Sequence, residues 1–459
     1  MWFTLQEVKE VTQAVLVRKE HARFRGVAID SRRCESEQLF VALRGKRVDG
    51  HAFVGEAVQR GAFGALVEET CGEIEATIFL VPSTYEALVA LGRYAASRLN
   101  GVKIGITGTV GKTTCKHLFA RLLGTRFSVA MTPQSFNTPI GVSVSFANFE
   151  DGVSFLVVEA GVSEKGDMDA LVSIIQPEVV VFTAFGEGHL QGLGSVEGVV
   201  EEKLKLVCRN TERVYLNIDR GIPRVEDVLA RFPWATVIPF GKKEEALLRL
   251  ESFIPDVHRL CSSFSIAWGK YRFSFEVPVL APEVLLTALP AVHFALEAGV
   301  PLEDVREVLA SFQELPGRGR IVRFGDGIVV DDTYNANPLS VQKMVGLATQ
   351  FVCGGYKTCL VLGDMLELGA WAEDAHRSVL HYVKHSPVHL VLLFGPLFEQ
   401  ALPAVEGDER FVPVRTPEEA HMALRAFVAS SSRWAVLLKG SRSMELEALM
   451  LEEWREIHA

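Results

Sequence analysis

The sequence predicts an α/β protein of three domains: a small N-terminal α/β domain over 1–100, then two domains, 101–314 and 315–459, each built on its own parallel sheet. Three observations carry this reading. The chain has 459 residues, about three domains at roughly 150 residues each. From VKIGIT (102–107) onward, short runs rich in Val, Ile and Phe end at Gly, Asp, Glu or Thr, with longer amphipathic stretches between them. That is the rhythm of a parallel sheet wrapped by helices. The runs form two series, divided by the helical periodicity of 281–313 and the Pro-Gly break of LPGRGR (315–320).

Within the first hundred residues, DSRRCESEQLFVALRGKRVDGHAF (30–53) sets turn residues around one apolar strand, LFVAL. The central series continues with SFLVVEA (154–160), EVVVFTAFG (178–186), RVYLNID (213–219) and TVIPFG (236–241). The last series is GIVVDDTY (327–334), KTCLVLGDM (357–365), HLVLLFG (389–395) and RWAVLLKGS (433–441), and its domain is expected to be Rossmann-like. No solenoid-period repeat or low-complexity tract interrupts them.

Lys and Arg number 47 against 57 Asp and Glu, a net charge of −10. Such a chain has no overall field to attract nucleic acid or anionic lipid, so an anionic ligand must be held by local groups. The seven cysteines, Cys34, Cys71, Cys115, Cys208, Cys261, Cys353 and Cys359, form no CxxC, and their number is odd. A reduced, cytoplasmic compartment is expected. The opening stretch is broken by charges and no apolar run reaches bilayer length, so neither export nor membrane insertion is expected.

The strongest local signal is GITGTVGKTT (105–114), an alternating strand running into a glycine loop. The helix after it carries apolar residues at Cys115, Leu118, Phe119, Leu122 and Leu123, the i, i+3, i+4, i+7, i+8 face. Glycines bring backbone N–H groups close to phosphate oxygens, and the helix N-terminus adds its positive dipole end. Lys112 can neutralise phosphate charge and Thr113 can hold Mg²⁺. Ile106 stands where GxxxxGK[ST] has its first glycine, so the working motif is Gly108-x-x-Gly111-Lys112-Thr113. The central domain is therefore expected to be P-loop ATPase-like.

Ligands of parallel sheets sit beyond the carboxyl ends of the strands. Glu159 ends SFLVVEA and His189 lies just past EVVVFTAFG, so both project toward the loop, where an oxygen and a nitrogen could ligate a metal. The alternative roles are a helix cap for Glu159 and an ordinary loop histidine for His189. Lys203, on the helical stretch SVEGVVEEKLKLVCR (195–209), reads from composition alone as a solvated lysine.

At these residues the sequence resembles the Mur ligases, the ATP-dependent amide-forming family of peptidoglycan assembly. GITGTVGKTT is similar to the family loop GITGTNGKTT; VVEAGVSEKGDM (157–168) and GEGHLQGLGSVEGVVEEKLKL (186–206) resemble its glutamate and histidine-to-lysine segments. FNTPIGV (136–142), DDTYNANP (331–338), GDMLELG (363–369) with His376-Arg377 behind it, and KGSRSME (439–445) are most similar to the member that adds D-alanyl-D-alanine to UDP-N-acetylmuramoyl-tripeptide. The DNPR-type motif of the neighbouring ligase is absent.

The resemblance implies ATP and Mg²⁺ as cofactors and these two small molecules as partners, with the chain working as a monomer. It implies that Gly108, Thr109, Val110, Gly111, Lys112, Thr113 and Thr114 hold ATP, with Asn217 and Asp219 near the nucleotide. Arg318 or Arg320, Asp332, Tyr334 and Asn335 would cover it from the last domain. Thr113, Glu159, His189 and Lys203 would hold magnesium, Lys203 as a carbamate; with Lys112 these form the implied catalytic set. Ser31, Arg32, Asp49, Gly50 and His51 would grip the uridine nucleotide, Asn137 would meet substrate, and Lys439, Ser441 and Arg442 would face the dipeptide. Val110, Ala160, Lys205 and Arg220 depart from the family pattern.

Overall fold

The computed structural model describes residues 1–45, 48–70, 72, 74–133, 136–186, 190–220 and 222–454. It holds an α/β chain of three main sheets plus a two-stranded ribbon, Trp2–Thr4 against Arg23–Arg25. The first sheet has five short strands in the order Val15–Arg18, Thr77–Leu80, Gly64–Val67, Leu39–Val41, Val27–Ala28, parallel except at the Val15–Arg18 edge.

The central sheet has nine strands. Val102–Thr107 lies between Phe155–Glu159 and Val179–Phe182, all parallel and all fully or nearly fully buried, which explains their unbroken apolar character. This arrangement puts the chain ends after Thr107, Glu159 and Phe182 side by side. Arg213–Asn217 and Thr236–Gly241 continue the parallel part, and Val129–Met131 forms its far edge. Beyond Gly241 the sequence pattern was silent, yet the sheet gains Leu248–Asp256, Cys261–Trp268 and Tyr271–Val277, the last two antiparallel. Polar or exposed positions interrupt each of these, so none reads as a continuous apolar run.

The expected helix after the loop is Lys112–Leu123, and its apolar face is buried as the spacing required. The periodic stretch 281–313 is two helices, Pro282–Glu297 and Leu302–Ala310. Gly299, at φ +95°, and Pro301 force the break.

The last sheet runs Arg320–Phe324, Gly327–Asp332, Trp434–Lys439, Lys357–Gly363, Leu390–Phe394, Phe411–Val414, parallel apart from the first strand. Asp332 and Lys439 are register partners at neighbouring strand ends.

The first and central sheets are separate, but their cores are one. Helices Thr84–Arg98 and Pro139–Asn148 cross so closely that a Cβ on Gly92 would meet Ser143 at 2.7 Å. The Asn148 amide donates to Val27 O at 2.9 Å and its Oδ1 accepts from Val27 N at 3.2 Å. The six described cysteines are all free. Among the described residues no helix is long and apolar enough to cross a membrane.

Candidate active site

A cavity of about 1180 Å³ opens between the carboxyl ends of the central strands and those of the last sheet. Its central wall carries Thr109, Val110, Gly111, Lys112, Thr113, Thr114, Asn137, Glu159 and Asn217; the last sheet contributes Arg318, Asp332, Tyr334, Asn335 and Lys439.

The loop's glycines are dictated by space. Gly108 has φ +149°, and a Cβ on it would lie 2.1 Å from Thr183 Oγ1; at Gly111, φ +83°, a Cβ would lie 2.7 Å from Thr287 Cγ2. The loop is laced to the neighbouring strand end: Thr109 N donates to Ala184 O at 2.7 Å, and Thr183 Oγ1 donates to Val110 O at 2.6 Å. Lys112 curls back to donate to Gly108 O at 2.9 Å. Desolvation lowers its pKa, against the pull of Glu159.

Glu159 is 2% exposed and fully engaged. Its Oε2 accepts from Thr113 Oγ1 at 2.9 Å and its Oε1 from the Asn137 amide at 3.0 Å. The Lys116 ammonium lies 3.5 Å from Oε2. Burial alone would raise this carboxyl; Lys112, Lys116 and Arg318 outweigh it, and the pKa falls below the ordinary value. The pair Thr113 and Glu159 thus presents an anionic oxygen beside a hydroxyl, a donor set suited to a hard divalent cation.

Lys203 is 1% exposed, and its Nζ has no hydrogen-bond partner among the described residues. Its pKa is driven well below the ordinary lysine value, first by desolvation and then by Lys112, with Glu159 and Glu202 opposing. The surface reading of this lysine from composition is therefore wrong. Lys205 points elsewhere, pairing with Asp169 at 2.7 Å and Glu202 at 2.8 Å. A buried, orphaned ammonium within the field of Lys112 and Glu159 fits a group converted to an anion by carbamylation. His189 lies outside the described residues, just before the short helix Leu190–Leu193.

On the facing wall, Lys439 Nζ donates to Asp332 at 2.5 Å and to Asn335 O at 3.0 Å. Asp332 is pushed up by burial, against Lys439. The Arg318 guanidinium stacks 3.6 Å above the centre of the Tyr334 ring. Ser441 lies beneath the wall: its Oγ accepts from Leu366 N at 2.8 Å, tying KGSRSME to GDMLELG. His376 braces the same loop, accepting at Nε2 from Met365 N at 3.0 Å. Arg442 is exposed and pairs with Glu447 at 2.5 Å.

The first-domain residues stand apart from this cavity. Ser31 donates to Glu56 at 2.8 Å, and Arg32 grips Asp30 through Nε at 2.9 Å. His51 is oriented by Asp49, 2.6 Å from Nδ1, and accepts at Nε2 from Glu68 N at 2.8 Å. Gly50 packs on Leu43, where a Cβ would meet backbone at 2.8 Å.

Three side chains of the site went unread in the sequence. Lys116 is fully buried and donates to Thr132 O at 2.8 Å; its i+4 relation to Lys112 was the available signal. Asp331, also fully buried, accepts from Gly317 N at 2.8 Å and Thr333 Oγ1 at 2.7 Å, holding the loop that carries Arg318. Glu314 accepts from Thr114 Oγ1 at 3.3 Å.

Comparison with known proteins matches the chain to three family descriptions: Mur ligase family, catalytic domain (residues 23–87), Mur ligase middle domain (106–293), and Mur ligase, glutamate ligase domain (317–442). Two curated relatives, from Bacillus subtilis and Treponema pallidum, are each a UDP-N-acetylmuramoyl-tripeptide--D-alanyl-D-alanine ligase. The first is 29% identical over 97% of both chains and the second 30% over 93% of both. A solved structure, MurF ligase from Thermotoga maritima in complex with ADP, is 27% identical, covers 95% of this chain and 97% of its own, and superposes with a TM-score of 0.81.

Proposed function

The chain belongs to the Mur ligase family, and from that membership we propose that it joins D-alanyl-D-alanine to UDP-N-acetylmuramoyl-tripeptide, turning ATP into ADP and phosphate. The observation that carries the proposal is the cavity in which the Gly108–Thr114 loop and Glu159 face Arg318, Asp332 and Lys439. A cytoplasmic monomer is the form proposed.

The tripeptide's terminal carboxylate must attack the γ-phosphate, and both are negative. Lys112 supplies a cation at the loop, and its lowered pKa reflects desolvation that strengthens charge interactions there. Magnesium held by Thr113, Glu159, His189 and carbamylated Lys203 would neutralise further charge on the transferring group. Lys116 and Asn137 keep Glu159 ionised and aimed. Arg318, fixed by its ring stack and by the Asp331-braced loop, adds a cation from the opposite wall.

The first product is an acyl phosphate. The dipeptide amine, brought by the last domain near Lys439, Ser441 and Arg442, adds to the acyl carbon and phosphate leaves. Ser31, Arg32, Asp49, Gly50 and His51 are proposed to hold the uridine end on the first domain. Substrate halves bound on different domains meet only in the cleft, which keeps water from the activated acid.

The test is phosphate release with each substrate omitted in turn. The proposal expects release only with tripeptide and dipeptide both present; ATP turnover that needs neither would mark a nucleotide-driven switch and overturn it.

A further inference from the structure

Two half-buried acids, Asp332 and Glu314, line the cavity wall and are not among the proposed metal ligands. Asp332 is neutralised by Lys439. Glu314, in the linker between the helix Leu302–Ala310 and the last sheet, makes no ion pair among the described residues, although the Arg318 charge acts on it. Its Oε2 accepts from Thr114 Oγ1, while its Oε1 is buried with no hydrogen-bond partner among the described residues. A buried polar atom left unpaired costs roughly 1–3 kcal/mol and needs an explanation.

We propose that Glu314 reads the sugar of the bound nucleotide, its orphaned oxygen pairing with a ribose hydroxyl. The inference rests on the nucleotide reading above. Gly108–Thr113 and Lys112 mark the phosphate end, and Thr114 is the next residue along the helix. Leu280, Val284, Phe312 and Ile321 give the same cavity an apolar wall suited to a base. A carboxyl beside a hydroxyl and next to the phosphate loop matches a sugar, whose hydroxyls both donate and accept. Burial raises this carboxyl's pKa to about 8, against the Thr114 hydrogen bond, so at neutral pH it carries a proton and can donate as well as accept.

The test is calorimetric binding of ADP, 2′-deoxy-ADP and 3′-deoxy-ADP with magnesium and no other substrate. A site built around a hydroxyl rejects the analogue lacking it, so the wild type should bind one deoxynucleotide about tenfold or more weakly than ADP. Glu314→Ala should bind ADP about tenfold more weakly and treat all three nucleotides alike to within about twofold, while Glu314→Gln, keeping a donor and an acceptor, retains about threefold discrimination or more. Removing an unsatisfied group should leave the unliganded Glu314→Ala protein at least as heat-stable as the wild type. Equal binding of the three nucleotides by the wild type, or undiminished discrimination by Glu314→Ala, overturns the inference and leaves the ligase reading standing. Failure of the wild type to bind ADP overturns both.

Discussion

Replacing Lys203 by Ala is the sharpest perturbation of the proposed chemistry. A lysine of ordinary pKa is neutral in only about one molecule in a thousand at pH 7.4, and each unit of lowering multiplies that fraction tenfold. Lys203 is driven well below the ordinary value by desolvation, so its neutral amine is available to carbon dioxide. Carbamylation replaces +1 by −1, a swing of two charges, in a site where a preorganised charge is worth about 3–4 kcal/mol. Lys203→Ala should therefore lose about 10²–10³ in kcat by ADP release. Added formate or acetate, able to occupy the vacated space as a carboxylate, should return a measurable part of it. The fold should survive: the variant loses three methylenes, about 2–3 kcal/mol of burial, and at the same time removes a buried ammonium without a partner among the described residues. A thermal unfolding scan gives that control. Wild-type activity in the variant, or a folded inactive variant that no small carboxylate rescues, would refute the reasoning.

Lys112→Ala should fold normally and lose about 10²–10³ in kcat, read by ADP release, because its work is charge compensation at the loop. Gly108→Ala places a Cβ 2.1 Å from Thr183 Oγ1, and ATP binding measured by calorimetry should be lost; Thr183→Ala in the same chain should restore part of it. Asp331→Ala strips the acceptor from Gly317 N and Thr333 Oγ1, so urea unfolding should show about 3–5 kcal/mol lost and ADP affinity should weaken as Arg318 loosens. The pKa of Glu314 is raised to about 8, so its neutral form dominates below that pH. Nucleotide affinity should be level below pH 8 and fall above it as a negative charge appears near the phosphates; a level profile through pH 9 would contradict the assignment.

What the sequence disclosed follows from how each residue announces itself. The buried parallel strands and the face Cys115, Leu118, Phe119, Leu122, Leu123 were legible because full burial leaves an apolar pattern. The strands over 248–277 escaped because polar or exposed positions interrupt each of them. The break in 281–313 was written in Gly299 and Pro301, although periodicity alone ran across it. The site's geometry was legible where backbone constraint and side chain share one motif, as in Gly108 to Thr114. It was illegible at Lys203: a lysine on a helix has the same letter whether it faces water or the interior, and only the packing around Val196–Leu204 decides.

Asp331 and Asp332 show why the facing wall was half read. They are adjacent in one strand, so their side chains point to opposite faces of the sheet. Asp332 meets Lys439 across the strand ends, whereas Asp331 turns to the loop Gly317–Gly319 and fixes the chain on which Arg318 rides. A motif match to DDTYNANP marks both letters equally, but the alternation of a strand assigns one to the cavity and the other to its scaffold. The same division recurs across the cleft, where Glu159 faces the loop while Lys116 and Asn137 hold it there. Glu159 and the loop carrying Arg318 are thus each braced by further buried side chains, and loss of the bracing residue should cost alignment before it costs charge. Substitution of Lys116 by Met would test this: Glu159 stays ionised through Lys112 and Arg318, so magnesium-dependent ADP binding should weaken by about tenfold and persist, whereas complete loss of binding would make Lys116 an essential charge in its own right.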